Sequence, residues 1–467
     1  MQFLINYLNS HERQLVRPWA LSAPILVLLL TVPLVRPLLR PELDTMSDDE
    51  QARLSTVQAI VEHHTLAIDN TLFAHSTRDT ITVHGHLYSD QPPVMAAMLS
   101  VPYWVMFHRG VTLEHNSLWV MFILTLVGVT VPVALSAGLV YKMGRLFELG
   151  RPWRAALGLA VVLGSGLISY ATVLNAHALA ATFLLSAGAC LVQVGLINDM
   201  RKSSGWLALA GVAAGLSAVI DPPALVFAVA LALVVGAFRW RLGARALAIC
   251  IYLLGATAPV AFHAVLNESI TGDLVPAYLR PQFDSSLRRE IVRPDAGEDD
   301  DDESGFQVGI ARAFWRAVDV LIGTHGIFTH FPVLVMGLLG ITMVMHRHWP
   351  SSTKMLATVT VAGSVAILLL YCVSSTEWGE AMFATRWFVL FLPLMLFWAG
   401  AWLRRPHRPM SWVAAGVLMA FSATVSIIGA TGSFPRDGFD RYTAVGAMQN
   451  LLSPPNAASA APVLARQ

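Results

Sequence analysis

Along most of the chain, apolar residues run for about 20 positions at a time, the length that crosses a bilayer as a helix. Eleven such stretches are predicted as spans: 19–39, 117–141, 154–174, 177–197, 206–220, 223–238, 246–266, 327–345, 355–373, 386–403 and 411–430. Two of them are short and meet at Asp221-Pro222-Pro223, which predicts either a tight hairpin or half-helices that stop inside the membrane. Val94–Phe107 is apolar but too short to span. It follows Pro92-Pro93, a good helix opening, and is predicted to lie in the interface. Residues 1–18 place Phe3, Leu4, Tyr7 and Leu8 at helical spacing, which predicts a cytoplasmic amphipathic segment. The apolar run from Trp19 is too long for a signal core and lacks a small-residue cleavage site, so no cleaved leader is expected.

Basic residues beside the spans set the orientation. Arg13 and Arg17, Lys142 to Arg154, Arg201 and Lys202, Arg239 to Arg245, Arg347 and Lys354, and Arg404 to Arg408 fall on one side, which is therefore predicted to be the cytoplasm. Loops 40–116, 267–326 and 374–385 and the tail 431–467 then face outward. The expected fold is an all-α polytopic membrane protein of about 11 transmembrane helices. Its N-terminus is cytoplasmic, interfacial helices sit in a long first external loop, and the membrane domain covers 19–430. The acidic run Glu298–Glu303 and the Pro/Ala-rich tail from Ser453 read as mobile.

Composition agrees with this pattern. The 467 residues are 55% hydrophobic and 13% charged, with a mean hydropathy of +0.59, against about 25% charged in soluble domains. A net charge of +1 without a basic run gives no reason to expect nucleic acid. Cys190, Cys250 and Cys372 lie in apolar runs without metal-ligand spacing and read as small buried hydrophobes.

Polar chemistry is piled into Ser47–Trp104. Ser47-x-x-Glu50 fits a capping box, and Leu54, Val57, Ile60 and Val61 follow at helical spacing. A short helix over 48–63 lying on the membrane is predicted. Asp48, Asp49 and Glu50 would then either favour the helix dipole or hold one carboxylate as a general base or ligand to a hard divalent cation. Arg53, one turn after Asp49, is placed to pair with it. Tyr88-Ser89-Asp90-Gln91-Pro92-Pro93 is a rigid turn, because each proline restricts the residue before it. It is either an entry turn for the next helix or a polar turn at headgroup level. His63, His64, His75, His84 and His86 share this loop. His84-Gly85-His86 is a possible metal pattern, but no cysteine and no HExxH motif join it, which favours solvated histidines. His177, on a span, reads as a hydrogen-bonded core residue. Asp221 would cap the next helix or face a cavity.

D-E-x-x-R-L at Asp49–Leu54, T-L-A-I-D at Thr65–Asp69 and Y-S-D-Q-P-P at Tyr88–Pro93 resemble the first periplasmic loop of GT-C membrane glycosyltransferases. That superfamily includes protein O-mannosyltransferases and the lipid A aminoarabinose transferase. N-A-H-A-L-A-A-T at Asn175–Thr182, T-H-G-I-F-T-H-F-P-V-L at Thr324–Leu334 and the segment Glu377–Pro393 are similar to later patches of the same proteins. The likeness spans most of residues 45–395. It implies transfer of a sugar from a polyprenyl-phosphate donor to a lipid, glycan or protein acceptor, on the outer face of a bacterial inner membrane. Asp49 would be the catalytic carboxylate and general base, with Glu50 beside it. Arg53, Tyr88, Asp90, Gln91 and Arg386 would meet substrate. Many members carry lysine where this chain has Gln91. A lysine there would meet the lipid phosphate, so that contact is either lost or passed to Arg386, Arg280 or His325. A divalent metal, if used, has Asp49, Glu50, His84 and His86 as candidate ligands. Two other readings stay open. A transporter or flippase of a lipid-linked or polar solute would need charged pairs inside its spans, and Asp221 is among the few candidates. An inactive scaffold of the same fold is the other, raised by Gln91.

Overall fold

The structure is a computed structural model that describes residues 19–39, 46–197, 199–238, 240–276, 305–324, 326–374, 383–384 and 386–431. Arg280, His325, the N-terminal segment, the acidic run and the tail lie outside the described residues. Side chains of 305–312 and 374 are not described either.

The first helix, α1, runs Trp19–Leu34, and a single turn follows at Arg36–Leu39. The first loop then supplies α2 (Asp48–Gln58), the strands β1 (Thr80–Val83) and β2 (His86–Ser89), and α3 (Pro93–Phe107). The bundle continues with α4 (Leu113–Phe147), α5 (Arg151–Gly164), α6 (Ala176–Ile197), α7 (Met200–Ile220), α8 (Pro222–Gly236) and α9 (Leu242–Thr271). It closes with α10 (Gly305–Ile322), α11 (Leu334–Met345), α12 (Ser351–Ser374), α13 (Leu392–Leu403) and α14 (Pro409–Thr431).

The chain is an all-α polytopic membrane protein. Among the described residues six helices are long and apolar enough to cross a membrane, or seven if Ala313–His330 and Leu334–Met345, bent by 96°, form one span. The other apolar helices of the bundle are shorter. The expected span 154–174 is not one helix: α5 stops at Gly164, and Gly166 takes a φ of +75°. A Cβ at Gly166 would sit 2.5 Å from Phe331 Cζ, so this position requires glycine both for its left-handed backbone and for the close ring.

Residues 165–175 form an irregular strap that is buried throughout. Non-helical backbone inside a membrane bundle must find partners within the protein, and here it does. Thr130 Oγ1 donates to Ala171 O at 2.7 Å, Arg36 N to Thr172 O at 3.0 Å, and Thr172 Oγ1 to Ala430 O at 3.0 Å. Asn175 Oδ1 then accepts from Ala178 N at 2.9 Å and starts α6. Elsewhere the helices meet through small residues, which let backbones approach closely. A Cβ on Gly211 of α7 would lie 2.0 Å from Tyr252 O of α9, and one on Gly255 would lie 2.4 Å from Ala208 O.

The first loop is not a helix resting on the bilayer by one face. Leu54, Val57 and Val61 are buried as their spacing predicts, but so are Arg53, Ser55, Thr56 and Gln58. The helix is covered because the chain from Thr65 folds back over it and α3 packs beside it. Gln58 fixes that return by accepting from Leu72 N at 2.9 Å and donating to Glu62 at 3.0 Å. The α-helical part of 48–63 ends at Gln58, continues as one wide π-turn over Ala59–His63, and stops at His64 with φ +54°. The hairpin β1–β2 was not among the predicted elements. Its two-residue turn places His84 at φ +52° and Gly85 at +87°, the left-handed pair that a twisted two-residue hairpin needs.

Candidate active site

Four polar segments converge where α2 meets the strap. Ser47 caps α2: its Oγ accepts from Glu50 N while its own N donates to Glu50 Oε2 at 3.1 Å. This box fixes the helix start and holds Glu50 and Asp49 at the beginning of α2.

Glu50 is 2% exposed and points into the bundle. Its carboxylate accepts from both guanidinium nitrogens of Arg36 at 2.7 Å and from Leu174 N at 2.9 Å. Glu50 thus docks α2 onto the strap, with its lone pairs occupied by the fold. Arg53, 3% exposed, adds a second tie by donating to Leu174 O at 3.4 Å.

Asp49 points the other way, with its side chain 18% exposed. Arg386 Nη2 lies 2.8 Å from Asp49 Oδ2, and Arg53 Nη2 lies 3.9 Å from the same oxygen. The other oxygen, Oδ1, accepts from Gln91 Nε2 at 3.3 Å. Gln91 is oriented by Arg53 Nη2, which donates to its Oε1 at 2.8 Å. Its amide nitrogen is therefore turned toward three carboxyl groups, Asp90 at 3.0 Å, Asp49 at 3.3 Å and Asp79 at 3.4 Å. Burial by itself would push the Asp49 carboxyl up. The guanidinium groups of Arg386 and Arg53, with a bond from Asp79, outweigh it and hold Asp49 well below the usual carboxylate range. Asp79 goes the opposite way. Burial, together with the charges of Asp49 and Asp90, pushes it up to about 10. At neutral pH Asp49 is ionised and Asp79 carries the proton between them.

Arg386 reaches this point from the far end of the chain on a single 3₁₀ turn, Arg386–Phe388. The turn is pinned on both sides. Tyr170 Oη of the strap donates to Phe383 O, and Trp387 stacks on Tyr371 with centroids 4.9 Å apart. A second polar pair borders the cluster. His177 Nδ1, on the first turn of α6, lies 2.7 Å from Asp221 Oδ2, which is 3% exposed. This matches a hydrogen-bonded interior histidine.

Of the residues singled out in the sequence, Asp49, Arg53, Asp90, Gln91 and Arg386 meet here. Tyr88 instead packs with Ile81, Val83 and Ile270 in a separate small apolar cluster. His84 occupies the hairpin turn, and His86 Nδ1 sits 3.2 Å from Asp69 Oδ2. Among the described residues no three His, Cys, Asp or Glu side chains are grouped as metal ligands; Glu50 faces Arg36 and the strap, while His84 and His86 lie on the hairpin. Asp79 was not anticipated. Its signal is the hairpin register, which pairs Thr80 with Ser89 and so brings Asp79 opposite Asp90. A cavity of about 700 Å³ among the basic turns, lined by Arg347, Trp349, Arg404 and Arg405, shares no residue with this cluster.

No family model and no curated protein matches the chain. Solved structures do. The apo oligosaccharyltransferase of Archaeoglobus fulgidus is 11% identical with a TM-score of 0.51, over 89% of this chain and 56% of that one. Its complex with Zn and sulfate is 12% identical with a TM-score of 0.53, over 89% and 54%. ArnT from Cupriavidus metallidurans in the apo state is 16% identical with a TM-score of 0.45, over 82% and 58%. The protein is thus an integral membrane protein with the GT-C fold. It spans about half the length of the oligosaccharyltransferase it matches.

Proposed function

We propose that this protein is a GT-C-type glycosyltransferase that moves a sugar from a polyprenyl-phosphate carrier to an acceptor at the outer face of a bacterial inner membrane. The acceptor class is a glycolipid, a polysaccharide or a protein. The observation that carries the reading is the meeting of Asp49, at a capped helix start in the first loop, with Arg386 near the far end of the chain, at 2.8 Å. A displacement at the anomeric carbon needs both kinds of group side by side. The acceptor hydroxyl gives its proton to a positioned carboxylate, Asp49, as its oxygen bonds to the sugar. The bond from that carbon to the phosphate oxygen breaks, and the charge gathering on the phosphate is met by Arg386. Arg53 and Gln91 hold Asp49 in place. Protonated Asp79 adds a donor to it.

The outward orientation rests on the basic residues that fall on one side of the spans. The reading is supported by the fold shared with the archaeal oligosaccharyltransferase, which has also been solved tethered to an acceptor peptide.

Two comparisons test it. Surface glycans and glycolipids of a deletion strain should lack a sugar that its parent carries, and the gene with Asp49→Asn should fail to restore it despite normal membrane insertion. A general base is worth about 10²- to 10⁴-fold, so full restoration by Asp49→Asn would sink the assignment. One observation favours transport instead, the buried His177–Asp221 pair between α6 and the end of α7. Flipping of a polyprenyl-phosphate sugar by purified protein in liposomes, with no transfer, would select that reading.

A further inference from the structure

The cavity among the basic turns lies between the turn that joins α11 to α12 and the turn that joins α13 to α14. His346, Arg347, Trp349, Arg404 and Arg405 line it, with Met343 of α11. Its volume of about 700 Å³ falls within the range of small-molecule sites, about 300–1,000 Å³. The two helices that end beside it run in backbone contact. A Cβ on Gly337 of α11 would meet Met395 O of α13, and one on Gly340 would meet Trp398 O. These contacts hold the two helix ends at a set separation, and the cavity opens just beyond them.

The charge there is in excess. Arg404 pairs with Glu148 and lies over the Trp349 ring, 5.2 Å from its centroid. Among the described residues no carboxylate pairs with Arg347 or Arg405. The C-terminal ends of α11 and α13 each carry roughly half a negative charge. Together with Glu148 they offset about two of the three guanidinium charges, which leaves a surplus of about one positive charge. Basic residues after a helix end favour its dipole, and basic residues on one face orient the spans. Neither effect accounts for three guanidinium groups around one cavity, two of them without an acid.

Two further features place the cavity at headgroup depth. Tryptophans collect where a membrane meets water, and four are gathered here. Trp349 stands edge-on to Phe147 at 6.1 Å, Trp402 edge-on to Trp412 at 4.9 Å, and Trp412 lies 5.1 Å from Trp153. An apolar track also leaves the cavity along α11. Leu339 and Val335 are exposed four and eight residues before Met343, on the same helix face. A soluble anion would leave that track bare, whereas an acyl chain would cover it.

We propose that this cavity holds the phosphodiester head of an anionic glycerophospholipid from the adjoining leaflet, with Arg347, Arg404 and Arg405 around the phosphate and an acyl chain along α11. A phosphodiester carries one negative charge, which matches the surplus. Guanidinium groups bind phosphate oxygens through paired N–H donors. Basic pockets between helices on the positively charged face of a membrane protein suit anionic lipid heads. The site stands apart from the chemistry at Asp49 and does not depend on it.

The test is binding of radiolabelled dioleoylphosphatidylglycerol to the delipidated full-length protein in detergent, read by scintillation proximity. Unlabelled phosphatidylglycerol should displace the label at least about tenfold better than phosphatidylcholine, the factor for one charge-assisted bond. Inorganic phosphate in large excess should displace little. Arg347→Gln combined with Arg405→Gln should weaken binding about tenfold or more. Arg201→Gln combined with Lys202→Gln removes the same charge from exposed positions at the start of α7 and should bind as the wild type does. Neither Arg347 nor Arg405 holds an ion pair in the fold, so the first double variant should melt with the wild type; the lipid competition on the wild type needs no variant at all. Equal displacement by phosphatidylcholine would overturn the anionic site. Displacement by inorganic phosphate as strong as by phosphatidylglycerol would assign the cavity to a free anion and overturn the lipid. Equal weakening in both double variants would show general surface charge and overturn the location.

Discussion

Replacing Glu50 separates holding the site from performing its chemistry. The residue stands next to Asp49 in the sequence and shares its charge, yet its carboxylate is spent on Arg36, Ser47 and the Leu174 amide. Glu50→Ala takes from Arg36 a carboxylate it meets at 2.7 Å through two nitrogens, with the pair 11% and 2% exposed. Removing one partner of so buried a pair costs about 3–5 kcal/mol. The loss of the bond to Leu174 N is part of the same network and is not added. The damage is local, since these contacts join α2 to the strap rather than the bundle to itself. Opening of α2 should therefore become about 10²- to 4 × 10³-fold more frequent, at a factor of ten for each 1.4 kcal/mol. Hydrogen–deuterium exchange followed by mass spectrometry would read this on peptides covering 46–63 and 165–176. Glu50→Gln, whose single carbonyl oxygen can accept from Ser47 N or from Leu174 N but not from both, should fall between wild type and Glu50→Ala. Unchanged exchange in Glu50→Ala combined with lost transfer would refute this reasoning and return Glu50 to a chemical role.

Other consequences follow from the same contacts. Asp79 prefers its proton far more in the folded protein, at about 10, than at its ordinary value of 3.8. Between those values the folded state binds more protons than the unfolded one, so this group lowers stability progressively as pH rises. Asp79→Asn, neutral throughout, should melt above the wild type by a margin that widens from pH 5 to pH 9; a margin independent of pH would contradict the shared proton. Tyr103→Phe removes the hydroxyl that donates to Glu62 and accepts from Leu113 N at 2.9 Å. It should cost about 1–3 kcal/mol, read as a lower melting temperature. Gly255→Leu would drive a side chain into Ala208 O, 2.4 Å from the ideal Cβ. It should destabilise the α7–α9 contact by about 1–3 kcal/mol or more, whereas Gly243→Leu, in open space at the start of α9, should not.

The sequence made the helix starts legible where local chemistry decides them. Ser47 and Glu50 lie three apart and form the capping box that their spacing predicts. The one-turn spacing of Asp49 and Arg53 likewise anticipates their approach. Hydropathy located the bundle, but it could not distinguish a span from the strap. Leu167–Leu174 is as apolar as a helix, and only Gly164-Ser165-Gly166 marks the break. The hairpin signal was present in the alternation Thr80–Val83 and the two-residue turn at His84-Gly85. His84 in that turn and His86 at the start of β2 also fit the spacing of a metal pair, so the local pattern is ambiguous. Asp79 and the direction of Glu50 were beyond reach for a different reason. Whether an acid faces a cation, another acid or a backbone amide depends on segments far apart in the chain, here the hairpin base and the strap. No local pattern encodes that.

The central claim is that Asp49 and Arg386 are two halves of one transfer site. The most direct measurement is sugar transfer in membrane vesicles that contain the full chain and a radiolabelled polyprenyl-phosphate sugar pool, with wild type, Asp49→Asn and Arg386→Ala compared at equal expression. Label should move from the polyprenyl-phosphate fraction to an acceptor fraction only with the wild type. Each variant should fall by at least about a hundredfold. Label that moves equally well with Asp49→Asn would contradict the claim.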